Sequence, residues 1–295
     1  MDTSFTNSRK SLKRARRAST DWAGLSREQQ ICSIELDGYL IVPDLLSVDQ
    51  VATLKEELDR LPTRAVDYSE HQRGNPEVWR TDSPNAVELV AHPPVIDLLM
   101  GLFGDEIICT SLGLSVSHPG HPGIVIHTDS QPFGSKIFGV QASSPVLARV
   151  LYYLDDLTPE CSPFKVIPRS HLSMHRDGNP YLRYLSHPDE IMVCCEAGSA
   201  VIINQRIFHG NYPNHSNRPR RMLAIAYRPA WAGPIDDVPE RDAADVAKLP
   251  AHIQPYFRSL NTRTIDFDLP NRPDGMAREA EGIAPARWGD GVVPS

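Results

Sequence analysis

No apolar run in the sequence approaches the roughly 20 residues that a membrane-spanning helix needs, and no basic start leads into the short apolar stretch of a secretory signal. A soluble protein of the cytoplasm, without a membrane partner, is therefore expected. Cysteine is scarce and odd in number: Cys32, Cys109, Cys161, Cys194 and Cys195 include no Cys-x-x-Cys pair, so a disulfide framework is excluded and reduced, mostly buried thiols are expected. Cys194 and Cys195 close the apolar run 191–195 and read as small hydrophobes on a buried strand. Positive charge is not in excess, 30 Lys and Arg against 37 Asp and Glu for a net charge of −7, which argues against a nucleic-acid binder. Also missing are Gly-x-Gly-x-x-Gly, a phosphate loop and the Gly-x-Ser-x-Gly elbow, so dinucleotide, nucleoside-triphosphate and serine-hydrolase chemistry have no support.

What is present is ordinary for a globular protein, 41% hydrophobic and 23% charged residues, apart from 26 prolines in 295 residues, well above the average of about 5%. Much of the surface is expected to be ordered loop. Arg9, Lys10, Lys13, Arg14, Arg16 and Arg17 crowd six positive charges into nine residues, a solvated, disordered arm over 1–20. Residues 21–295 then read as one domain, with a β-rich core over about 106–229 and a proline-rich, charged extension over 230–295.

Ser26 with Gln29, and Ser47 with Gln50, fit capping boxes that start two helices, with a Gly-Tyr strand at 38–43 between them. Val51, Leu54, Leu58 and Leu61 give the second helix an apolar face. Residues 64–85 are polar and read as irregular; inside them Trp79-Arg80 is expected to be a packing anchor beside a salt bridge, with substrate contact as the alternative. Pro94, Val95, Leu98, Leu99 and Leu102 mark a further helix stopped by Gly104. From 106 the period changes to that of strands, at 107–117, 124–128, 148–154, 191–195, 199–208 and 220–228, and 249–263 reads as a short helix. Short strands without βαβ alternation argue for two packed antiparallel sheets.

The chemistry is concentrated in Ile124-Val-Ile-His-Thr-Asp-Ser130, where a β-branched run delivers His127 and Asp129 two residues apart and hence to one face of a strand. A second apolar run, from Val201, ends in His209. Two histidines and a carboxylate on one face of an octahedron leave three positions open, the arrangement of non-haem Fe(II) oxygenases. His118 and His121 are the neighbouring alternatives, but they stand in a Pro/Gly double turn and read as surface or turn residues. His171 and His175 are spaced for zinc on a helix, yet without an accompanying His-Glu-x-x-His they read as solvent-exposed.

The segment His209-Gly-Asn-Tyr-Pro-Asn214-His-Ser216-Asn-Arg-Pro-Arg220 resembles the phytanoyl-CoA dioxygenase family of 2-oxoglutarate-dependent oxygenases, in which the distal His-Gly is followed by an Asn, a Ser or Thr two later, and an Arg. The opening order of helix, Gly-Tyr strand and helix matches as well. The resemblance implies a double-stranded β-helix, a jelly roll of the cupin kind with flanking helices, whose mouth holds iron. It further implies that Fe(II) is held by His127, Asp129 and His209, and that 2-oxoglutarate and O2 are co-substrates. Arg220, 11 residues after His209, is the expected partner of the 2-oxoglutarate carboxylate, with Arg218, Arg221 and Arg228 as rivals. Three positions depart from the family's pattern: Cys161-Ser162 replaces Asn-Gly, Arg169 replaces the Gly of Pro-Gly-Ser-His, and Met222 replaces the Ser two residues after the Arg. Halogenating relatives lack the carboxylate, so Asp129 points to hydroxylation, with desaturation or rearrangement as variants. The family acts on acyl-CoA thioesters, amino-acid derivatives and specialised metabolites, and an intermediate of the last kind is the expected substrate here. A jelly-roll module that binds metal or ligand without turnover is the alternative of another class.

Overall fold

Both Ser-x-x-Gln signatures form reciprocal caps in the computed structural model, which describes residues 16–17, 20–129, 147–173, 187–230 and 241–257. Ser26 and Gln29 start α1 (Arg27–Cys32), and Ser47 and Gln50 start α2 (Val48–Leu58); in each, the glutamine side chain accepts from the capping residue's amide at 2.8 Å. α1 runs on through a π-helical turn, Ser33–Asp37, that Gly38 closes at φ 86°. A side chain at Gly38 would also meet His171 and Ile207 at 2.6 Å, so the position needs glycine twice over. Val51, Leu54 and Leu58 bury the inner face of α2, which ends before Leu61.

Residues 64–85, expected to be irregular, contain a hairpin instead: β3 (Arg64–Val66) and β4 (Ser69–Asn75). Its polar sequence hides it because β4 lies near the sheet margin, where only Gln72 is buried and no apolar alternation is needed. α3 (Pro84–Glu88), a 3-10 turn at Leu89–Ala91 and α4 (Pro93–Phe103) follow. The stretch Pro84–Phe103 is long and apolar enough to cross a membrane by length and composition, contrary to the expectation from apolar runs. Its turn at 89–91 breaks it, and Val95, Leu98, Leu99 and Phe103 pack into the core.

The remaining strands are β5 (Ile107–Ser117), β6 (Ile124–His127), β7 (Ala148–Tyr153), β8 (Phe164–Val166), β9 (Ile191–Val193), β10 (Ala200–Asn204), β11 (His209–Asn211) and β12 (Arg220–Pro229). Among the described residues they build two sheets. One has the order β2-β10-β7-β12-β5-β4-β3, with β2 at Tyr39–Val42; the other has the order β9-β8-β11-β6, with β1 (Arg16–Arg17) added in parallel beside β9. All other pairs are antiparallel. The two packed sheets are the jelly-roll architecture expected. Leu40, Ile202, Val150, Tyr152, Leu223 and Ile225 face the helices, whereas Ile41, Val201, Ile203, Leu151, Tyr153, Phe164 and Val166 fill the space between the sheets. Because both faces of β10 are covered, its sequence is a continuous apolar run rather than an alternating one.

That run does not continue to His209 as one strand. β10 stops at Asn204, the chain turns through Gln205–Phe208, and β11 belongs to the other sheet. Polar side chains account for the break: Asn204 Oδ1 accepts from Arg206 N at 3.1 Å, and Gln205 Oε1 accepts from Leu147 N at 3.2 Å. Cys194 and Cys195 lie just beyond β9, half-buried rather than within a strand; Cys109 and Cys161 are buried and Cys32 is exposed. Two of the family departures coincide with backbone strain, since Ser162 (φ 47°) and Arg169 (φ 66°) adopt the left-handed conformation for which glycine is suited.

In the C-terminal extension the described part of the expected helix 249–263 forms a 3-10 turn, Gln254–Phe257, preceded by α5 (Ala243–Val246); residues 258–295 lie outside the described residues. Trp79 anchors this extension. Its ring packs on Phe257 with centroids 5.4 Å apart, Arg241 lies 4.4 Å from the Phe257 ring and 5.4 Å from the Trp79 ring, and Arg80 pairs with Asp245 at 2.6 Å. The packing role expected for Trp79-Arg80 is the one they fill.

Candidate metal and co-substrate site

His127 and His209 are register partners across β6 and β11, so the break after β10 is what brings the two apolar runs together. Their rings lie 4.5 Å apart between centroids. In each, Nδ1 donates to the carbonyl two residues earlier, Val125 at 2.8 Å and Ile207 at 3.0 Å. This fixes the tautomer and turns both Nε2 lone pairs inward. Asp129, two residues past the end of its strand, is held by its amide, which donates to Gln205 O at 2.9 Å. His127 Nε2 is 3.8 Å from Asp129 Oδ1, and His209 Nε2 is 3.4 Å from Oδ2. All three ligand atoms lie within 4.8 Å of one another. Two neutral imidazole nitrogens and a carboxylate, with no donor hydrogen between them, suit a divalent transition metal such as iron.

Arg220 is the inward-facing member of the adjacent pair Arg220-Arg221. It is wholly buried, whereas Arg221 is turned outward and pairs with Asp59 at 2.7 Å and Asp155 at 3.2 Å. Arg218 lies against Asp156 at 3.7 Å, and Arg228 donates to the Pro229 carbonyl at 3.2 Å. No carboxylate pairs with Arg220 among the described residues. Its Nη2 donates to Ser117 Oγ at 2.8 Å and approaches Ser162 Oγ at 3.4 Å, while Nε and Nη1 have no hydrogen-bond partner. Burial lowers its pKa, a sign of how little surrounds the charge to compensate it.

Around this guanidinium is a cluster of polar side chains. Ser117 is its cross-strand partner and donates on to Gln72 Oε1 at 2.5 Å. The buried Tyr153 hydroxyl lacks a well-formed partner, and the Tyr153 ring lies 5.7 Å from the guanidinium carbon. His121, expected at the surface, is 1% exposed, with Tyr68 OH 3.5 Å from Nε2 and no partner for Nδ1. Its pKa is lowered to about 3, chiefly by burial and then by the charges of Arg220 and His71. His121 is buried because the turn docks on 211–214, where Gly120 N donates to Asn214 O and Asn214 N to His121 O, both at 2.9 Å. His118 stays half-buried at the turn's edge. His171, also expected to be exposed, is fully buried, with Nε2 2.7 Å from Glu35 O, and His175 lies outside the described residues.

β11 carries both His209 and a residue of this polar cluster. Asn211, two residues after His209, donates to Ser162 O at 3.5 Å, and the Ser162 hydroxyl faces Arg220. Sequence reasoning missed Ser117, Gln72, Tyr153 and Arg149, the last lying 2.8 Å from Asp129 Oδ2 through Nε. Ser162 was visible only as a departure from glycine. Two surface cavities, about 400 and 470 Å³, lie away from this region against α1 and α4 and against α2 and α3.

The phytanoyl-CoA dioxygenase (PhyH) family pattern matches residues 34–222. Dioxygenase trt7 of Aspergillus terreus is 23% identical over 227 residues, 71% of this chain and 76% of trt7. Among solved structures, HygX from Streptomyces hygroscopicus with nickel and 2-oxoglutarate bound superposes with a TM-score of 0.59 at 18% identity, covering 70% of this chain and 89% of HygX. The α-ketoglutarate-dependent epimerase SnoN from nogalamycin biosynthesis does so with a TM-score of 0.59 at 19% identity, covering 74% and 89%. The match over 34–222 takes in the two inward histidines, the aspartate and the buried arginine, and the chain belongs to the phytanoyl-CoA dioxygenase family of 2-oxoglutarate-dependent non-haem iron oxygenases.

Proposed function

We propose that the protein oxidises a C–H bond of a small organic molecule, an intermediate of specialised metabolism, and returns a hydroxyl group, with His127, Asp129 and His209 holding Fe(II) and Arg220 holding the far carboxylate of 2-oxoglutarate. The observation that carries this reading is the wholly buried Arg220, with Nε and Nη1 unpartnered among the described residues, in the same fold as three metal-ligand atoms that lie within 4.8 Å of one another. A buried guanidinium without a carboxylate costs several kcal/mol, and a dicarboxylate ligand offsets that cost. Iron with its two co-substrates supplies the oxidising power, 2-oxoglutarate and O2 becoming succinate and carbon dioxide as one oxygen atom goes to the substrate.

The protein's own groups bind, orient and exclude water. The Nδ1 hydrogen bonds of His127 and His209 place the proton of each neutral imidazole on Nδ1 and present Nε2 as the ligand atom. Arg220 sets the direction of the dicarboxylate, with Ser117 and Ser162 hydroxyls beside it to take the role of the serine that Met222 displaces. Burial of the triad histidines, 8% and 6% exposed, limits bulk water. Support for a specialised metabolite comes from the neighbours: HygX has been crystallised with hygromycin B, and SnoN and the carbocyclase SnoK belong to nogalamycin biosynthesis. SnoN is an α-ketoglutarate-dependent epimerase and SnoK a carbocyclase, so epimerisation and ring closure are the alternatives to hydroxylation.

Succinate formed from 2-oxoglutarate in air by the Fe(II)-loaded protein tests the reading, with Asp129→Ala as control. Succinate above the control is expected. Its absence at saturating iron and 2-oxoglutarate would leave a binding module. Once a substrate is found, product mass separates hydroxylation, a gain of one oxygen, from desaturation, a loss of two hydrogens, and from epimerisation, no change.

A further inference from the structure

Arg149 stands on β7 with its Nε 2.8 Å from Oδ2 of Asp129. Neither composition nor any motif draws attention to it, since it is a charged residue inside the apolar run Ala148–Tyr153. The side chain is only 21% exposed and that of Asp129 9%, so the pair is shielded from water. The N–H is not aligned on the oxygen, and the contact is therefore an ion pair rather than a linear hydrogen bond. Both histidines of the triad converge on this same carboxylate, His127 nearer Oδ1 and His209 nearer Oδ2. Asp129 has two oxygens with which to answer three neighbours and a metal.

We infer that Arg149 is a positioning residue for the metal site: it engages one carboxylate oxygen of Asp129 and leaves the other for the metal. Three features of the fold serve that role. β7 pairs with β10 and β12 on either side, Arg149 facing Ile203 and Ala226 in register, so the backbone carrying Arg149 is fixed in the middle of the seven-stranded sheet. Asp129, by contrast, sits beyond the end of β6, where its amide donates a hydrogen bond to Gln205 O. The two histidines are each tied to the carbonyl two residues earlier, and the rigid strand that carries Arg149 restrains the third ligand from the facing sheet. With Oδ2 engaged by Arg149, Oδ1 would be the oxygen that Asp129 offers to a metal. Partners behind metal ligands typically set metal affinity by roughly 10- to 100-fold.

The inference rests on the metal role proposed for the triad, and the test separates the two. Co(II) is titrated into the metal-free full-length protein and followed by its visible absorption, in wild type, Arg149→Gln, Arg149→Met and Arg149→Lys, each first shown to keep the wild-type far-ultraviolet circular dichroism. Arg149→Gln and Arg149→Met are expected to need about tenfold more Co(II), with a changed absorption envelope reporting altered coordination, and Arg149→Lys to recover most of the affinity. If Arg149→Gln or Arg149→Met binds Co(II) as tightly as wild type, or more tightly, with an unchanged spectrum, Arg149 merely occupies the space beside Asp129 in the metal-free protein and the inference falls. Should wild type itself bind no Co(II), it is the metal site that fails.

Discussion

Replacing Arg220 by methionine separates a ligand-binding charge from a structural one, because the two roles predict opposite changes in stability. The guanidinium is wholly buried, its Nε and Nη1 have no partner, and burial lowers its pKa. Exchanging uncompensated buried charge for a well-packed apolar side chain stabilises by about 1–4 kcal/mol. Against this stands the lost Nη2 bond to Ser117, whose hydroxyl keeps its bond to Gln72. The melting temperature of the ligand-free variant should therefore match or exceed wild type. Binding of 2-oxoglutarate should suffer instead: truncating one partner of a buried charge pair costs about 2–5 kcal/mol, and 3 kcal/mol is roughly 10²-fold in Kd. At a concentration 100 times the wild-type Kd, the ligand contributes about 2.7 kcal/mol to wild type and about 0.4 kcal/mol to the variant. At roughly 2–4 °C per kcal/mol, wild type should shift by about 5–10 °C and Arg220→Met by about 1 °C. Differential scanning fluorimetry with Co(II), with and without 2-oxoglutarate, reads both numbers. A variant that melts several degrees lower without ligand, yet keeps the full 2-oxoglutarate shift, would refute the reasoning and make Arg220 a structural charge.

Two further substitutions probe the scaffold around the site. Glu57, 3% exposed on α2, accepts from the amides of Asn85 and Ala86 at 3.1 and 2.9 Å and from Asn85 Nδ2 at 2.7 Å, capping α3 from a neighbouring helix. Glu57→Ala strands those donors and should cost about 2–4 kcal/mol, a fall in melting temperature of roughly 5–15 °C, with a smaller loss in Glu57→Gln. His121 has its pKa lowered to about 3, so below the ordinary histidine value the unfolded chain takes a proton that the folded chain refuses. Its stabilising contribution is present above about pH 6.5 and is lost as pH falls from there toward 3, by up to about 1.4 kcal/mol per pH unit. Urea midpoints at pH 6 and 5 should therefore converge in His121→Gln relative to wild type, and an unchanged difference would show that His121 is not the group responsible.

The parts of the site that periodicity could reach were legible. His127 and Asp129 share a face because strands repeat every two residues, and the same alternation separates Arg220 from Arg221. Long-range pairing was not legible. Ser117 meets Arg220 only because β12 pairs with β5 in one register, and Arg149 reaches Asp129 only because the sheets face each other. Gln72 was hidden in a polar hairpin with no apolar alternation, and His121 in a Pro/Gly turn whose docking on 211–214 buries it. Turn residues reveal where the chain bends, not what covers the bend. His209 was identified in spite of a wrong strand boundary, since the break after Asn204 depends on the side-chain bonds of Asn204 and Gln205 rather than on hydropathy.

The central claim is that the three inward ligand atoms hold iron on which 2-oxoglutarate chelates, directed by Arg220. Anaerobic addition of Fe(II), then 2-oxoglutarate, to wild type, His209→Ala and Arg220→Met tests it without a substrate, through the weak visible charge-transfer band of the chelate. A band in wild type, lost in His209→Ala and requiring about 10²-fold more 2-oxoglutarate in Arg220→Met, is the predicted result. A folded wild-type protein that binds iron and shows no band at any 2-oxoglutarate concentration would contradict the account.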